Sequence, residues 1–315
     1  MERVYAKSIT GVKNLTRGNI EYILDLALRL EPIIQGESDK KPLAGKKLVT
    51  FFYEPSTRTR MSFESAMLSL GGGVISMSDA MRSSSVWKGE TLQDTIRTIH
   101  NYGHIIALRH FEGGAAEKAD LYSKVPIINA GDGPNEHPTQ TLLDLLTIKK
   151  RLGRLDNIHI ALCGDLKHTR SANSISLALS KFDNVKFTLV RPEGFETQQW
   201  ILDIMKGKNV EIVETEDLQG AINDEPDVLY MCRIQKERFD SEEAFNAING
   251  KYCLTREMLS QVDKNIIVLH HLPRVDELDE SVDDYPGAAY FEQTYNGVLV
   301  RGAMMTMLLK KDLEL

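Results

Sequence analysis

Five consecutive residues, Ser56-Thr57-Arg58-Thr59-Arg60, place three hydroxyls and two guanidiniums where an apolar run gives way to a helical pattern. Hydroxyls, the free amides of a helix N-terminus and an arginine together make a cradle for phosphate. A Ser-Thr pair in that position also suits plain helix capping, so the stretch alone admits both readings. It is neither a GxxxxGK[ST] loop nor a GxGxxG dinucleotide turn. Other apolar runs are also followed by arginines: Arg109 after IIAL, Arg170 in GDLKHTR, Arg233 in YMCRIQ and Arg274 in LHHLPR. One arginine there is ordinary surface charge. A series of them, in a chain of net charge −7, implies a cleft for a small, multiply charged anion or for two anions together.

His137 follows the glycine-rich loop Gly131-Asp132-Gly133-Pro134-Asn135-Glu136 and precedes Pro138-Thr139-Gln140. A neutral imidazole at a strand-to-helix junction can donate to a carbonyl oxygen, although a lone histidine is as readily structural. The triplet Gly71-Gly72-Gly73 reads as the cap of the helix before it. Ser83 to Glu90 is polar and by itself reads as a solvated loop.

In open α/β sheets, ligands bind beyond the carboxyl ends of the strands, so the elements that carry these residues decide their meaning. Strands are expected at Leu48 to Phe52, Val74 to Met77, His104 to Leu108 and Val125 to Asn129. A second series follows at Ile158 to Cys163, Val185 to Val190, Val210 to Val213, Val228 to Met231 and Ile266 to Leu269. Between them lie helical patterns, with Ile20, Ile23, Leu24 and Ala27 on one face. Continuous apolar strands alternating with helices predict parallel sheets covered on both faces, hence two doubly wound α/β lobes. A helix from Pro138 to Arg151 would connect them, and Gly297 to Leu309 reads as another that returns to the first lobe.

Composition narrows the class. A chain of 315 residues, 42% hydrophobic, can bury a substantial core and suits two domains better than one. The acidic balance argues against a nucleic-acid binder. Cys163, Cys232 and Cys253 form no CxxC pair, which predicts reduced thiols rather than disulfides or a structural zinc site. No apolar run approaches membrane-spanning length, and the N-terminus lacks the apolar core of a signal peptide. A soluble protein that is not exported is expected, with no nucleic acid or membrane partner.

The motifs FFYEPSTRTRMSFESA, SSSVWKGETLQDT, ALRH, NAGDGPNEHPTQTLLDLLTI, GDLKHTR, YMCRIQKERF and LPRVDEL follow in order. Together they resemble the aspartate/ornithine carbamoyltransferase family over nearly the whole chain. STRTR and HPTQ mark the family, while RIQKER and LPRVDE favour the aspartate branch. The ornithine branch carries cysteines in HPCQ and HCLP, where this chain has Thr139 and His271. The resemblance implies transfer of the carbamoyl group of carbamoyl phosphate to L-aspartate, an early step of de novo pyrimidine biosynthesis. It implies a cytoplasmic homotrimer with no metal or organic cofactor. Its domains would be 1–137, binding carbamoyl phosphate and joined by a returning helix at 294–315, and 138–293, binding aspartate.

Position by position, the resemblance implies that Ser56, Thr57, Arg58, Thr59 and Arg109 hold the phosphate. Thr59, Arg109 and His137 would contact the carbamoyl oxygen, with Gln140 near the carbamoyl nitrogen. Ser84 and Lys88 would reach into a neighbouring subunit's site, Lys88 touching aspartate too. Arg170 and Arg233, helped by Gln235, would bind the aspartate carboxylates. The backbone at Leu272 would accept from the substrate amines, and the Leu272–Pro273 bond would be cis. Two departures stand out. His270-His271-Leu272-Pro273 replaces the usual His-Pro-Leu-Pro, which frees an N–H and relaxes the loop, and Trp87 sits beside Lys88 where a small or basic residue is commoner. An ornithine acceptor would not suit Arg233 and Gln235. A non-catalytic scaffold would not need His137 and Lys88, and an NAD(P) enzyme would show the missing glycine fingerprint. A separate regulatory chain, as in some members of this family, is left open.

Overall fold

The computed structural model describes residues 7–234 and 241–310. These divide into two compact units, 1–146 with 294–315 and 147–293. The division falls inside the Pro138–Leu152 helix rather than before it, and inside the Tyr290–Leu309 helix. No helix among the described residues is long and apolar enough to cross a membrane.

The first unit carries strands β1 (Lys47–Phe52), β2 (Gly73–Met77), β3 (Ile105–His110) and β4 (Ile127–Asp132). All pair in parallel, in the order β2-β1-β3-β4. The second unit carries β5 (His159–Cys163), β6 (Val185–Val190), β7 (Val210–Thr215), β8 (Val228–Met231) and β9 (Ile267–His270), also all parallel, in the order β7-β6-β5-β8-β9. All six residues of β4 and all four of β8 and β9 are buried, as strands covered on both faces require. The outermost β2 and β7 are only half-buried.

Each sheet reverses direction once. The chain lays β2 on one side of β1 and then crosses to place β3 on the other. It does the same around β5, with β6 and β7 to one side and β8 and β9 to the other. The order reverses between β1 and β3 and between β5 and β8, and beyond the carboxyl ends of such strands open α/β sheets form their binding crevice.

Several strands differ by a residue or more from the sequence reading, and two of these shifts have local reasons. β4 begins at Ile127 because Pro126 has no N–H for the ladder, though its carbonyl accepts from Ile106 at 2.9 Å. β3 runs on to His110, so Arg109 lies within the strand, paired with Phe52. The β3–β4 register slips between Leu108 and His110, an irregularity of the kind that re-aims side chains at strand ends. The glycine triplet is a helix cap. Gly71 adopts φ 86°, its N–H reaching Leu68 at 3.0 Å, and Gly72 donates to Met67 at 2.9 Å.

Gly164, φ 117°, ends β5 against the Cys232 carbonyl, and a Cβ there would fall inside that oxygen's contact radius. Gly164→Ala should therefore destabilise the second unit by at least about 2 kcal/mol, from backbone strain plus overpacking. Urea unfolding followed by Trp200 fluorescence in a Trp87→Phe background measures this. An unchanged midpoint would show that the β5–β8 junction yields freely.

Candidate active site

In the first unit, β1 ends at Phe52 and the helix Arg58–Ser69 starts after Tyr53-Glu54-Pro55-Ser56-Thr57. Thr57 occupies the cap position with helical dihedrals (φ −78°, ψ −62°) and makes no side-chain capping bond. Plain capping thus does not account for the Ser-Thr pair. The first-turn amides have no intrahelical acceptor, and no acidic side chain lies among them, so this end of the helix is a positive dipole terminus.

Arg109, from the neighbouring strand, faces the same point. Desolvation and the positive charge of Arg109 hold Arg58 below the usual guanidinium range. Burial likewise lowers Arg109, opposed by Glu54, whose Oε2 accepts from its Nε at 3.3 Å. Two like charges kept together and incompletely neutralised make a site for an anion.

His137 reaches the same edge from the end of β4. It caps the Pro138–Leu152 helix with its carbonyl, accepting from Gln140 at 2.9 Å and Thr141 at 3.2 Å. Its Nε2 lies 3.5 Å from the Thr59 hydroxyl, and both residues are 6% exposed. The loop before it is fixed by Asp132, which accepts from the Gly114 N–H at 2.8 Å and from the Asn129 amide at 2.8 Å. Gly133 (φ 49°) has no room for a Cβ against the backbone at Phe111. Burial raises the Glu136 carboxyl, which accepts from the Val12 N–H at 2.6 Å and ties residue 12 to the loop.

Gln140 donates from its amide nitrogen to Asp144 at 2.9 Å, which leaves the amide oxygen able to accept. Beneath His137 lies a residue that the sequence reading passed over, Arg301. Its Nη2 donates to Thr139 Oγ1 at 2.9 Å, and Thr139 Oγ1 is 3.4 Å from His137 Nδ1. The Arg301 guanidinium lies over the Phe63 ring, and burial pushes it down to about 9, with Asp144 opposing and Arg109 adding to the shift. The available signal was an arginine amid the apolar run GVLVRGAMM.

Ser84 and Lys88 stand apart from this group. The Ser84 hydroxyl caps the short turn Ser85–Lys88, accepting from Val86 at 3.2 Å and donating to Ala80 at 2.6 Å. Lys88 is exposed, as is Trp87 at 76%. No hydrogen bond or ion pair joins either Ser84 or Lys88 to Arg58, Arg109 or His137 among the described residues.

In the second unit, Arg170 opens the helix Arg170–Leu179 after β5. The turn before it is wound around buried Asp165, which accepts from the Lys167 N–H at 3.1 Å and the His168 N–H at 2.9 Å. Arg233 follows β8, which pairs with β5, so both arginines leave the sheet at its point of reversal. Leu272 follows β9, next in order, with φ 50° and a cis bond to Pro273. Gln235 lies outside the described residues. Arg274 does not join the set: it is held by both oxygens of Asp283 and stacks over Tyr290, and its guanidinium is pushed up by that pairing.

Comparison with known proteins places the chain in a family. Residues 7–150 match the model for the aspartate/ornithine carbamoyltransferase, carbamoyl-P binding domain, and residues 156–308 match the Asp/Orn binding domain. The chain is 48% identical over 306 residues to the aspartate carbamoyltransferase catalytic subunit of Methanocaldococcus jannaschii, covering 97% of this chain and 99% of that one. The crystal structure of that subunit superposes with a TM-score of 0.91 over 96% of this chain and 98% of that one. The aspartate transcarbamoylase of Trypanosoma cruzi in complex with N-(phosphonacetyl)-L-aspartic acid superposes with a TM-score of 0.92 at 37% identity, covering 98% of each. By both domains and in motif order, the chain belongs to the aspartate/ornithine carbamoyltransferase family.

Proposed function

We propose that this chain is an aspartate carbamoyltransferase, which makes N-carbamoyl-L-aspartate and phosphate from carbamoyl phosphate and L-aspartate. The observation that carries the reading is the meeting of Thr59 with His137 at the edge where Arg58 and Arg109 converge. The STRTR helix end, with Ser56, Thr57, Arg58, Thr59 and Arg109, receives the phosphate dianion. Thr59, Arg109 and His137 surround the carbamoyl oxygen, and the amide oxygen of Gln140, set by Asp144, accepts from the carbamoyl nitrogen.

The neutral amine of aspartate attacks the carbamoyl carbon, and negative charge moves onto the carbonyl oxygen in a tetrahedral intermediate. Donors already in place around that oxygen stabilise it, each contributing about 3–4 kcal/mol. The C–O bond to phosphate then breaks, and the leaving phosphate takes the proton shed by the amine. Arg170 and Arg233, with Gln235, hold the two carboxylates of aspartate, and the Leu272 carbonyl accepts from the substrate amines. Holding two anions side by side supplies much of the remaining acceleration.

The product is a pyrimidine precursor, so the enzyme serves de novo pyrimidine biosynthesis. Its three free thiols suit the reducing cytoplasm. It works as a homotrimer in which Ser84 and Lys88 complete a neighbour's site; the exposed position of Lys88, unpaired among the described residues, supports this.

Ureido assays with L-aspartate and L-ornithine in parallel test the acceptor. N-carbamoyl-L-aspartate is expected, and citrulline as the main product would sink the assignment. Arg233→Ala should lower kcat/KM for aspartate by roughly 30- to several-thousand-fold, the effect of leaving one partner of a desolvated charge pair alone. Carbamoyl phosphate binding should change little, and a comparable loss there would mean that Arg233 serves the phosphate.

Site sharing is tested by mixing. Arg58→Ala and Lys88→Ala should each be nearly inactive, since each removes a cation facing the same dianion. Dissociated and reassociated together at equal amounts, they should recover about a quarter of wild-type activity, because about a quarter of randomly formed interfaces carry neither lesion. Subunit exchange without recovery would place Lys88 in its own chain's site or in none.

A further inference from the structure

The strand that delivers Leu272 ends in a buried polar cluster that the proposed chemistry does not use. His270 closes β9, and the side chains of His270 and Glu277 are 0% and 2% exposed. His270 Nε2 lies 2.6 Å from Glu277 Oε1, and on the other side of the ring the Leu272 N–H donates to Nδ1 at 2.8 Å. A ring nitrogen that accepts carries no proton. The imidazole is therefore neutral, with its proton on Nε2 and donated to Glu277. Burial pushes the Glu277 carboxyl up, and the His270 bond and backbone N–H groups oppose that shift.

The rest of the turn is referred back to the same pair. Glu277 also accepts from the Val275 N–H, at 3.3 Å, and its carbonyl accepts from Leu254 at 3.0 Å. Gln293 accepts the His270 N–H at 2.9 Å. His271 lies flat on His270, ring centroids 5.0 Å apart and planes within 8°. Leu272 is held at φ 50°, a conformation that a residue with a Cβ leaves when nothing restrains it. The Nδ1 of His270 is the restraint on its N–H.

We propose that Glu277 and His270 are positioning residues for the amine-bearing substrate. The carboxylate fixes the imidazole tautomer, the imidazole holds the Leu272 amide, and the Leu272 carbonyl is thereby aimed at the attacking amine. This rests on the assignment of that carbonyl to the substrate amines. It also gives the loop a source of order other than the proline that His271 replaces.

Two measurements on the intact protein decide it. In 15N-histidine-labelled wild type, the His270 ring, identified by its loss in His270→Gln, should be the neutral Nε2–H tautomer. An imidazolium or an Nδ1–H ring would overturn the proposal. Glu277→Ala should raise KM for aspartate about tenfold or more while carbamoyl phosphate binding stays within about twofold. Glu277→Gln, whose amide oxygen still accepts from Nε2–H, should recover most of the loss. Equal impairment by Ala and Gln, or an unchanged KM in Glu277→Ala, would also overturn it. If Glu277→Ala does not fold, the Gln variant and the tautomer suffice. A wild type inactive towards aspartate sinks the function assigned above, and the tautomer then decides the dyad by itself.

Discussion

Arg58 and Arg109 repel each other, and the first unit is arranged to keep them together. One sits at a helix start after β1 and the other within β3, the strand paired to β1. The rigidity of a parallel ladder thus opposes their separation. Glu54 relieves Arg109 in part, and the exposure of Arg58 lets water relieve the rest. A helix N-terminus with no acidic residue in its first turn adds positive potential to the same place. The arrangement is costly without an anion and favourable with one, which is the ordinary trade of stability for a preorganised site.

Holding His137 in place requires burying polar groups, and burial makes each of them costly unless it is bonded. Asp132 and Glu136 answer this by accepting from the backbone of neighbouring segments, so their charges fasten Gly114 and Val12 to the loop. Arg301 answers it from below, through Thr139 and the face of Phe63. Arg301, 162 residues from Thr139 in sequence, therefore supports the first unit's part of the candidate site, whose other members lie between residues 56 and 140. Such support acts through distance in space, not in sequence.

That difference separates what the sequence disclosed from what it withheld. Nine apolar runs read as strands, and their parallel pairing followed from their continuity and the helices between them. Strand order did not follow: nothing local to β1 says that β3, not β2 alone, lies beside it. The reversal points at β1–β3 and β5–β8 became visible only with the order. His137 stood out because it follows a glycine-rich loop at a strand-to-helix junction, and Arg58, Arg109, Arg170 and Arg233 because charge at a strand end is unusual in series. Arg274 looked the same by that criterion, and only Asp283, nine residues on, shows it to be structural. Arg301 was illegible because one arginine in an apolar helix has no periodic signature.

The same limit applies to the substitution at residue 271. From the sequence, a histidine in place of proline predicts a looser turn, because the backbone gains freedom. In the structure, the turn does not draw its order from that residue's φ. The N–H groups of Leu272 and Val275 end on His270 and Glu277, both buried, and His271 contributes a flat face stacked on the first ring. A turn closed by hydrogen bonds to buried groups tolerates the loss of a ring constraint, since opening it would leave His270 Nδ1 and the Glu277 carboxylate without the backbone donors that they accept from. The cost of that opening, rather than the stiffness of one residue, keeps Leu272 in the left-handed region.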